Sequence, residues 1–553
     1  MNGLMMEMPL LVSSLIAHAD RHHGDAEIVS RRVEGDIHRY TYRDAHARAR
    51  KLANALQRLG AKPGERIASL AWNSHRHLEM FYAVGGGGMV MHTVNPRLFP
   101  EQIAWIINDA EDRFLFIDLT FVPLVEKIRP LLKKVERVVL MTDRSHMPVK
   151  TALGEVECFE DLLAAESDDY EWPALDENTA CGLCYTSGTT GNPKGALYSH
   201  RSNVLHSYAI VLPDVMSLSA RDCVLAVVPM FHANAWGIPY AAPLVGAKLV
   251  LPGPALDGKS LHELFESEKV TFSAGVPTVW IGLLQYLKQV GARFSTLERT
   301  VVGGAACPPA MIRAFRDEYG VELHHAWGMT EMSPLGSLCK LQNKHLALPR
   351  EEQQKILEKQ GHVVYGVDWK IVDGEGRELP WDGKAFGDLH VRGPWIVRDY
   401  FKGAHARAGE PPLVDGWFPT GDVATIDPDG YMQITDRSKD VIKSGGEWIS
   451  SIELENLAIA HPAVLEAAVI GVRHPKWDER PLLVVVKKAG QEVTREQLLA
   501  HYAGKVAKWW IPDDVVFVAE LPHTATGKIL KTKLRESYRE PVLPTGVELA
   551  AAR

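Results

Sequence analysis

Apolar positions along the first part of the chain recur with the spacings of helices and strands. Thr41 and Asp44 have the spacing of a capping box, and the helix that they open ends at Gly60. Its apolar stripe consists of Ala45, Ala49, Leu52, Leu56 and Leu59. Short apolar runs with strand character follow at residues 66–72, 113–118, 137–141, 180–185, 224–228, 248–251, 271–274, 300–302 and 321–325. Because these runs alternate with helical segments, the pattern predicts an α/β fold with largely parallel sheets.

The pattern changes after residue 368. Shorter apolar runs are separated there by glycine-containing turns, of which Asp-Gly-Glu-Gly at 373–376 and Asp-Pro-Asp-Gly at 427–430 are the strongest. Such spacing predicts a β-rich subdomain that closes the large domain.

A small unit with its own alternation of helices and strands follows residues 436–440. Helices are predicted from Ser451 and from Thr494. Its predicted strands are residues 467–472, 482–487 and 515–518. We therefore expect two domains, residues 1–438 and 439–553.

Length and composition limit the classes of protein that this chain can represent. Its 553 residues exceed the ~250–300 at which a single core stops growing, so more than one domain is expected. The formal net charge of −8 gives no support for a nucleic-acid partner, and six cysteines make no disulfide framework. We find no window of ~18 apolar residues and no basic region before the apolar residues 10–12, so neither a membrane span nor a secretory signal is predicted. These features are typical of a cytoplasmic enzyme.

Residues 185–195 read Tyr-Thr-Ser-Gly-Thr-Thr-Gly-Asn-Pro-Lys-Gly, directly behind a predicted strand. Glycine lets backbone N–H groups approach a ligand, the hydroxyl groups donate hydrogen bonds and Lys194 adds a cation, so the stretch predicts a polyphosphate-binding loop. It differs from the loop of P-loop NTPases, in which Ser or Thr follows the lysine, because here Gly195 follows Lys194. A flexible surface turn is the alternative, since Gly, Ser and Thr also favour turns.

Two further motifs carry carboxylates. Trp-Gly-Met-Thr-Glu at 327–331 follows a predicted strand, and its glutamate can hold Mg²⁺ beside a nucleoside triphosphate while the tryptophan offers a flat face to a purine. A core tryptophan beside a surface glutamate is the alternative. Thr-Gly-Asp at 420–422 offers a carboxylate spaced for two ribose hydroxyls, although such a tripeptide alone is more often a turn.

Together with Pro-His-Thr-Ala-Thr-Gly-Lys at 522–528, these motifs resemble those of the adenylate-forming, or AMP-binding, enzymes, which include acyl-CoA synthetases, luciferases and the adenylation domains of peptide synthetases. The motifs stand in family order, and the resemblance extends from about Thr41 to Lys531. It implies a large N-terminal domain of αβ-layered sheets with a β-rich subdomain. A small mobile α+β C-terminal domain follows, which in the family rotates about the residue that matches Lys439.

The resemblance also implies which residues bind the nucleotide and coenzyme A. They are Thr186, Ser187, Gly188, Thr189, Thr190, Gly191, Lys194, Gly304, Ala305, His325, Ala326, Trp327, Gly328, Met329, Thr330, Asp422, Arg437, Lys439, Lys443, Gly445, Gly446 and Trp448. Glu331 and the hydroxyl of Thr186 are the implied Mg²⁺ ligands. Trp327 departs from the family pattern, in which tyrosine is usual, but an indole ring can also stack on adenine.

Lys528 matches the family's catalytic lysine, and the chemistry explains why a lysine is needed. A substrate carboxylate attacks the α-phosphate of ATP, so two anions must meet. A cation between them offsets their repulsion and stabilises the charge that develops in the transition state. The substrate carboxylate is itself the nucleophile, so no covalent enzyme intermediate is required.

The second half-reaction brings a thiol to the acyl-adenylate, and Ser-Gly-Gly-Glu-Trp-Ile-Ser at 444–450 fits a narrow path for it. Gly445 and Gly446 let the backbone approach a pantetheine arm. A strand-to-helix turn capped by Ser450 or Ser451 is the alternative, and both interpretations can hold.

The implied acyl pocket is lined by His232, Trp236, Gly303, Gly304 and Pro334. His232 lies by analogy near the substrate carboxylate, which makes it a catalytic candidate with Lys528, Thr186 and Glu331; a lone histidine in an apolar segment is more often structural. The chain resembles bacterial medium- and long-chain fatty-acid–CoA ligases. The combination of His232, Trp236, Trp327 and Ser-Pro-Leu at 333–335 is also similar to that of 3-(methylthio)propanoate–CoA ligases.

We therefore predict an acid–thiol ligase that uses ATP, Mg²⁺ and coenzyme A to make acyl-CoA, AMP and pyrophosphate through an acyl-AMP. Medium- or long-chain fatty acids are the expected substrates, with 3-(methylthio)propanoate or an aryl acid as alternatives. Rival functions are a carrier-protein loader, a luciferase-like oxygenase, an NTPase that releases ADP and an inactive nucleotide-binding regulator. The expected partners are small molecules. The sequence leaves acyl chain length and oligomeric state open, and dimers are common among similar enzymes.

Overall fold

The chain divides into two compact units. The computed structural model describes residues 1, 3–186, 192–403, 412–444, 447–523 and 529–538. The first unit comprises Met1–Asp368 and Val391–Phe418, and the second comprises Trp369–His390 and Pro419–Arg553. The expected domain border at residue 439 stays a prediction, because it concerns motion whereas these units are defined by compactness.

The first unit contains twelve α-helices within its described residues. They are α1 Val12–His23, α2 Tyr42–Arg58, α3 His75–Gly86, α4 Pro100–Ala110, α5 Val122–Ile128, α6 Phe159–Ala164, α7 His200–Ile210, α8 Ile238–Val245, α9 Gly258–Ser267, α10 Pro277–Val290, α11 Pro309–Arg313 and α12 Arg350–Leu357. Helix α2 begins as the sequence predicted, with Thr41 accepting a hydrogen bond from the Asp44 N–H in a capping box. None of the helices in the described ranges combines the length and hydropathy that crossing a membrane requires.

The strands of the first unit form two sheets. They are β1 Glu27–Arg31, β2 Ile37–Thr41, β3 Arg66–Leu70, β4 Val90–Thr93, β5 Phe114–Ile117, β6 Arg137–Leu140, β7 Val156–Cys158, β8 Ala180–Tyr185, β9 Gly195–Ser199, β10 Cys223–Ala226, β11 Lys248–Leu251, β12 Phe272–Gly275, β13 Arg299–Val302, β14 Glu322–Gly328, β15 Leu335–Leu338 and β16 Gly361–Val363. One sheet has the order β16-β15-β14-β13-β12-β10-β11-β1-β2, and the other has the order β7-β6-β5-β3-β4-β8-β9.

Most neighbouring strands in these sheets run parallel. In one sheet β10 is parallel to β11 and β12, and β13 is parallel to β12 and β14; in the other sheet β4-β3, β3-β5, β5-β6 and β4-β8 are parallel pairs. The predicted α/β class is therefore confirmed. Antiparallel pairs occur towards the ends, where β2 pairs with β1, β9 pairs with β8, and β15 pairs with both β14 and β16. Strand β1 pairs with β11, far along the chain, through Ile28 and Leu249.

Helix α3 lies between the two sheets, in contact with β1 of one and with β4 and β8 of the other. All twelve of its residues are buried, including Arg76 and Glu79. These charges are paired: Arg76 lies 2.7 Å from Glu34, and Glu79 lies 2.8 Å from Arg48. A buried helix between two sheets agrees with the layered architecture that the sequence predicted. In such folds, ligands bind at the carboxyl ends of the parallel strands.

The second unit has two sheets and three α-helices within its described residues. Its elements are β17 Asp368–Val372, β18 Phe386–Arg392, β19 Phe418–Ile426, β20 Tyr431–Arg437, β21 Ile442–Ser444, β22 Glu447–Ile449, α13 Ser451–Ile459, β23 Val464–His474, β24 Asp478–Lys487, α14 Arg495–Tyr502, β25 Asp514–Phe517 and α15 Lys531–Ser537. Strands β17 to β20 are neighbours in chain order, and β22-β21-β24-β23 form the other sheet with β25 on β24. Ser450 caps α13 by accepting a hydrogen bond from the Glu453 N–H at 3.1 Å.

Candidate active site

The predicted phosphate loop connects β8 to β9, and its ends are held together. The Thr186 N–H donates to the Lys194 carbonyl at 2.9 Å, and the Lys194 N–H donates back to the Thr186 hydroxyl at 3.1 Å. The predicted loop residues Ser187, Gly188, Thr189, Thr190 and Gly191 lie outside the described residues. The two hydrogen bonds fix the base from which this loop extends.

At the end of β13, Gly303 and Gly304 lie against the indole of Trp236. A Cβ on Gly303 would lie 3.2 Å from Trp236 Cη2 and 3.0 Å from the Ala326 carbonyl oxygen. Gly304 has φ +79°, and Ala305 beside it is exposed. The glycine pair therefore allows an indole, a neighbouring strand and a turn to meet closely, because a side chain would crowd its neighbours at Gly303 and strain the backbone at Gly304.

Trp236 belongs to a run of left-handed residues. Ala233, Asn234, Ala235 and Trp236 have φ values of 43°, 53°, 48° and 56°. Each such non-glycine residue costs on the order of 1–3 kcal/mol, and such strain persists only where surrounding contacts fix it. Asn234 has such a contact, because its side-chain oxygen accepts from the Cys184 thiol at 3.5 Å. The half-buried His232 directly precedes this run.

The end of β14 packs against Pro334. Trp327 is 7% exposed, and a Cβ on Gly336 would lie 2.5 Å from its ring. The Met329 N–H donates to the Pro334 carbonyl at 3.0 Å, and a Cβ on Gly328 would lie 2.1 Å from the same oxygen. The predicted acyl-pocket residue Pro334 is thus in direct contact with the predicted nucleotide motif.

Glu331, the predicted metal ligand, is 6% exposed and held by several groups. The Tyr400 hydroxyl donates to its carboxylate, and the Val397 N–H donates to its backbone carbonyl at 2.9 Å. The preceding residue, Thr330, accepts at its carbonyl from the Tyr198 hydroxyl at 2.6 Å.

Tyr400 also joins the glutamate to the phosphate loop. The Lys194 Nζ lies 5.2 Å from the centroid of the Tyr400 ring. One side chain therefore contacts both Lys194 and Glu331, although the two come from motifs far apart in sequence. This brings the base of the phosphate loop and the predicted metal ligand to one place.

His325 is placed differently from the other predicted nucleotide-binding residues. It is 2% exposed, and its Nδ1 lies 3.2 Å from the Glu358 carbonyl oxygen. Burial lowers the pKa of His325 to about 4, so the ring is neutral at pH 7 and donates from Nδ1. Its neighbour Ala326 faces Gly303 through its carbonyl, as described above.

In the second unit, Asp422 and Arg437 face each other across β19 and β20. Arg437 Nε lies 2.8 Å from Asp422 Oδ1, with the aspartate side chain 5% exposed and the arginine side chain 43% exposed. Lys439 follows, and burial lowers its pKa below the usual value. The predicted ribose contacts are therefore adjacent in this unit.

The predicted thiol-path segment forms a hairpin from β21 and β22. Lys443 pairs with Trp448 in register, and the Lys443 N–H donates to Glu479 at 3.0 Å. Gly445 and Gly446 at the tip, the side chain of Trp448 and the predicted catalytic Lys528 lie outside the described residues. His523 and Ile529, on either side of the Lys528 segment, form an antiparallel bridge.

The donor types of the two predicted metal ligands fit Mg²⁺. A carboxylate oxygen from Glu331 and a hydroxyl oxygen from Thr186 are hard ligands, which Mg²⁺ prefers, and it commonly takes only one or two protein ligands beside substrate phosphates. Glu331 and Thr186 therefore stay the predicted ligands of the ion.

Comparison with models of known protein families tests the predicted family. Residues 16–401 match the family of AMP-binding enzymes, and residues 453–528 match the C-terminal domain of AMP-binding enzymes. The chain belongs to the AMP-binding enzymes. The family and the fold that the sequence predicted are thereby confirmed.

The relatives of this AMP-binding enzyme include CoA ligases, and the alignments with them extend over nearly the whole length of both chains. The chain is 55% identical to a 3-methylmercaptopropionyl-CoA ligase from Ruegeria lacuscaerulensis, over 98% of this chain and 99% of the relative. It is 53% identical to a medium-chain-fatty-acid–CoA ligase from Ectopseudomonas oleovorans, over 98% of both chains. A crystal structure of an anthranilate CoA ligase in complex with anthranoyl-AMP superimposes with a TM-score of 0.84 at 26% identity, over 96% of this chain and 98% of the other.

Sequence reasoning missed two features of the site. Tyr400 stands in Asp-Tyr-Phe-Lys at 399–402, which carries no glycine, paired acid or other signal of a site. The left-handed run at Ala233–Trp236 contains only one residue, Asn234, of a type that favours this conformation. Both depend on packing between distant segments rather than on local pattern.

Proposed function

We propose that this AMP-binding enzyme is an ATP-dependent carboxylate–CoA ligase that forms an acyl-AMP and then an acyl-CoA. The observation that carries the proposal is the meeting of Lys194 and Glu331 at Tyr400, because it puts a cation of the phosphate loop beside a carboxylate suited to Mg²⁺. Membership of the family and the long alignments with CoA ligases support the same reaction.

In the first half-reaction the substrate carboxylate attacks the α-phosphorus of ATP. The new C–O–P bond forms as the bond to pyrophosphate breaks, and the electron pair leaves with pyrophosphate. Lys528 offsets the repulsion between the two anions, and Lys194 contacts the polyphosphate. Glu331 and Thr186 would hold Mg²⁺, which would neutralise negative charge on the phosphates.

Binding of the nucleoside falls to other groups. The carboxylate of Asp422 accepts from the ribose hydroxyls, with Arg437 holding it in place. Trp327 and the backbone of Gly304, Ala305 and 325–330 contact the adenine. This assignment follows the family motifs and is supported by the exposed glycine turn after β13.

In the second half-reaction the thiol of coenzyme A attacks the acyl carbon of the acyl-AMP. The thioester forms, AMP leaves and the thiol proton passes to solvent or base. Lys443, Gly445, Gly446 and Trp448 line the thiol path, because two adjacent glycines admit the pantetheine arm. Residues 439–553 form the mobile domain in this proposal, with Lys439 as its hinge.

Two classes of acid are favoured by different observations. The relatives that act on medium-chain fatty acids support an aliphatic acid. Trp236 supports a short one, such as 3-(methylthio)propanoate, because its indole covers Gly303 and Gly304 and a longer chain has to displace it.

The test is a product assay with ATP, Mg²⁺, coenzyme A and a panel of acids. The panel contains straight-chain acids from C3 to C16, 3-(methylthio)propanoate and cinnamate. We expect AMP and pyrophosphate in equal amounts with acyl-CoA, and acyl-AMP when coenzyme A is left out. Release of ADP, or AMP without any thioester, would reject the ligase, while kcat/KM across the panel identifies the acid.

A further inference from the structure

Residues 395–401, which we call the clamp segment, fasten the loop that carries Glu331. The Trp395 indole N–H donates to the Leu335 carbonyl at 3.1 Å, and the Ser333 hydroxyl donates to the Trp395 carbonyl at 3.0 Å. The Val397 N–H donates to the Glu331 carbonyl at 2.9 Å. These bonds fix the backbone at the glutamate and over the four residues that follow it.

Within the clamp segment, Val397 contacts the backbone of Glu331 and Tyr400 contacts its side chain. Its hydroxyl donates to the carboxylate, and this side chain is buried with only 9% of the tyrosine exposed. A hydrogen bond to a charged acceptor is stronger than one between neutral groups, and burial strengthens it further. The bond therefore fixes the direction in which the carboxylate points.

The clamp segment also reaches the phosphate loop. The Tyr400 ring lies 5.2 Å from Lys194 Nζ, within the range of a cation–π contact. Next to it, a Cβ on Gly195 would lie 3.1 Å from Phe401 Cβ, so the segment packs directly on the strand that follows the loop. Two further groups hold this end: Lys402 Nζ donates to the Asp109 carbonyl at 2.5 Å, and the Tyr185 hydroxyl donates to the Asp109 carboxylate at 2.7 Å.

We propose that Tyr400 is a positioning residue that aligns the metal-binding carboxylate and the phosphate-binding lysine with each other. Its hydroxyl orients Glu331 and its ring orients Lys194, so one side chain sets the spacing between the metal and the phosphates. This inference rests on the proposed function, because it takes Glu331 as the Mg²⁺ ligand. Small displacements at such sites cost much activity, which is why supporting residues of this kind matter.

The two contacts can be separated by two substitutions. Tyr400→Phe keeps the ring over Lys194 and removes only the hydroxyl. Tyr400→Leu removes both. The matched control is Tyr365→Phe, which removes a hydroxyl from a residue that is 90% exposed. Binding of ATP is measured by titration calorimetry, once with excess Mg²⁺ and once in EDTA. The ratio of the two affinities is the metal-dependent gain in ATP affinity, and it is obtained without any turnover.

We expect Tyr400→Phe to reduce the metal-dependent gain about tenfold while leaving ATP affinity in EDTA unchanged. Tyr400→Leu should lose the same gain and, in addition, about fivefold in metal-free affinity through Lys194. Tyr365→Phe should match the wild type. Equal losses with Mg²⁺ and in EDTA for Tyr400→Phe, or no loss in either, would overturn the proposal.

Glu331→Gln in the same titration separates this inference from the proposed function. If Glu331→Gln leaves the metal-dependent gain intact, Glu331 is not the metal ligand and the proposed function of that residue fails. If Glu331→Gln removes the gain and Tyr400→Phe does not, only the positioning role of Tyr400 fails. In the double variant the two losses should not add, because both act on one carboxylate. Tyr400→Phe retains the buried ring, so its result stands even if Tyr400→Leu does not fold.

Discussion

At the scale of single residues, we expect the size of the Trp236 side chain to decide which acids fit. Its indole covers Gly303 and Gly304, where the family places the acyl group. We expect Trp236→Ala to move the optimal acid to a longer chain. Each buried CH₂ contributes about 0.8 kcal/mol, so two carbons should change kcat/KM roughly 15-fold while space remains.

The measurement is kcat/KM for straight-chain acids from C4 to C14, in the wild type and in Trp236→Ala. Trp381→Ala serves as the control, because Trp381 is 40% exposed and lies in the other unit. An unchanged chain-length optimum in Trp236→Ala would show that the indole does not limit the acyl path.

The residues that could be predicted from the sequence are those whose chemistry demands a particular type. Glycines beside a phosphate, a lysine in the loop and a glutamate after a strand are recognisable because few other residues do the same work. Tyr400 could not be found in this way, since its contacts reach Glu331 and Lys194 across long stretches of chain. His325 shows the opposite case. It lies inside a recognised motif, but its ring is hydrogen-bonded to the backbone carbonyl of Glu358, directly after α12.

At the scale of elements, α15 is fastened to the rest of the second unit by a lysine whose side chain is only 10% exposed. Lys531 Nζ lies 2.7 Å from Glu455 on α13 and donates to the Ser451 hydroxyl at 2.5 Å. Burial alone would lower the pKa of Lys531, but the carboxylates of Glu455, Asp436 and Asp440 outweigh it and raise the pKa. The helix that follows Lys528 is thereby held in place.

We expect Lys531→Met to destabilise the second unit by about 3–5 kcal/mol, because Glu455 would be left buried without its cation. Combining it with Glu455→Leu should recover most of the loss. Urea unfolding of the full-length protein measures both. Lys487→Met is the matched control, since Lys487 and Glu492 are 31% and 89% exposed and such pairs contribute ~0–1 kcal/mol. A loss in Lys531→Met no larger than in the control would contradict the prediction.

Helices and strands were predicted well where the apolar residues follow one spacing, either that of a helix or that of a strand. Helix α2 and strands β11 and β13 match their apolar runs closely, because each has a clear stripe or a short run between polar ends. Helix α3 was not predicted, since every face is buried and its sequence therefore lacks the polar stripe that marks a surface helix.

At the scale of the whole molecule, the two half-reactions should depend on different residues. We expect Lys528→Ala to slow pyrophosphate release by about 10²–10³-fold, the effect of losing one transition-state donor. Transfer to coenzyme A from a supplied acyl-AMP should remain. Gly446→Trp should do the reverse, because a large side chain would block the thiol path.

Single-turnover pyrophosphate release and thioester formation from synthetic acyl-AMP measure the two steps. Lys533→Ala is the control, because Lys533 is an exposed lysine five positions after Lys528. If Lys528→Ala damages both steps equally, the separation of the half-reactions is wrong.

Stability of the molecule should fall in mild acid because of four buried histidines. Burial lowers the pKa to about 4 for His77, His200 and His325 and to about 3 for His206. The unfolded chain protonates them near pH 6.5, so below that pH the unfolded state binds more protons and stability decreases towards pH 4. For His206 the loss between pH 7.5 and pH 5 is about 2 kcal/mol.

His200 and His206 have a further reason to stay neutral, because each accepts a backbone N–H, from Val12 and Leu335, at 3.2 Å. Urea midpoints at pH 7.5, 6.0 and 5.0 test this. His206→Gln should flatten the pH dependence, whereas His22→Gln, at an exposed position, should not. Equal slopes for His206→Gln and the wild type would exclude this origin of acid sensitivity.

The pairing of β1 with β11 has a consequence for how the protein is made. Ile28 and Leu249 are 221 positions apart, so β1 leaves the ribosome long before its partner exists. At about 5–20 residues per second, the wait is about 10–40 seconds. The β3–β9 sheet is complete earlier, within residues 66–199, and can form first. Until β11 is synthesised, a β1–β2 hairpin would keep an open edge on which another nascent chain can pair, so we expect the growing protein to depend most on chaperones in this interval.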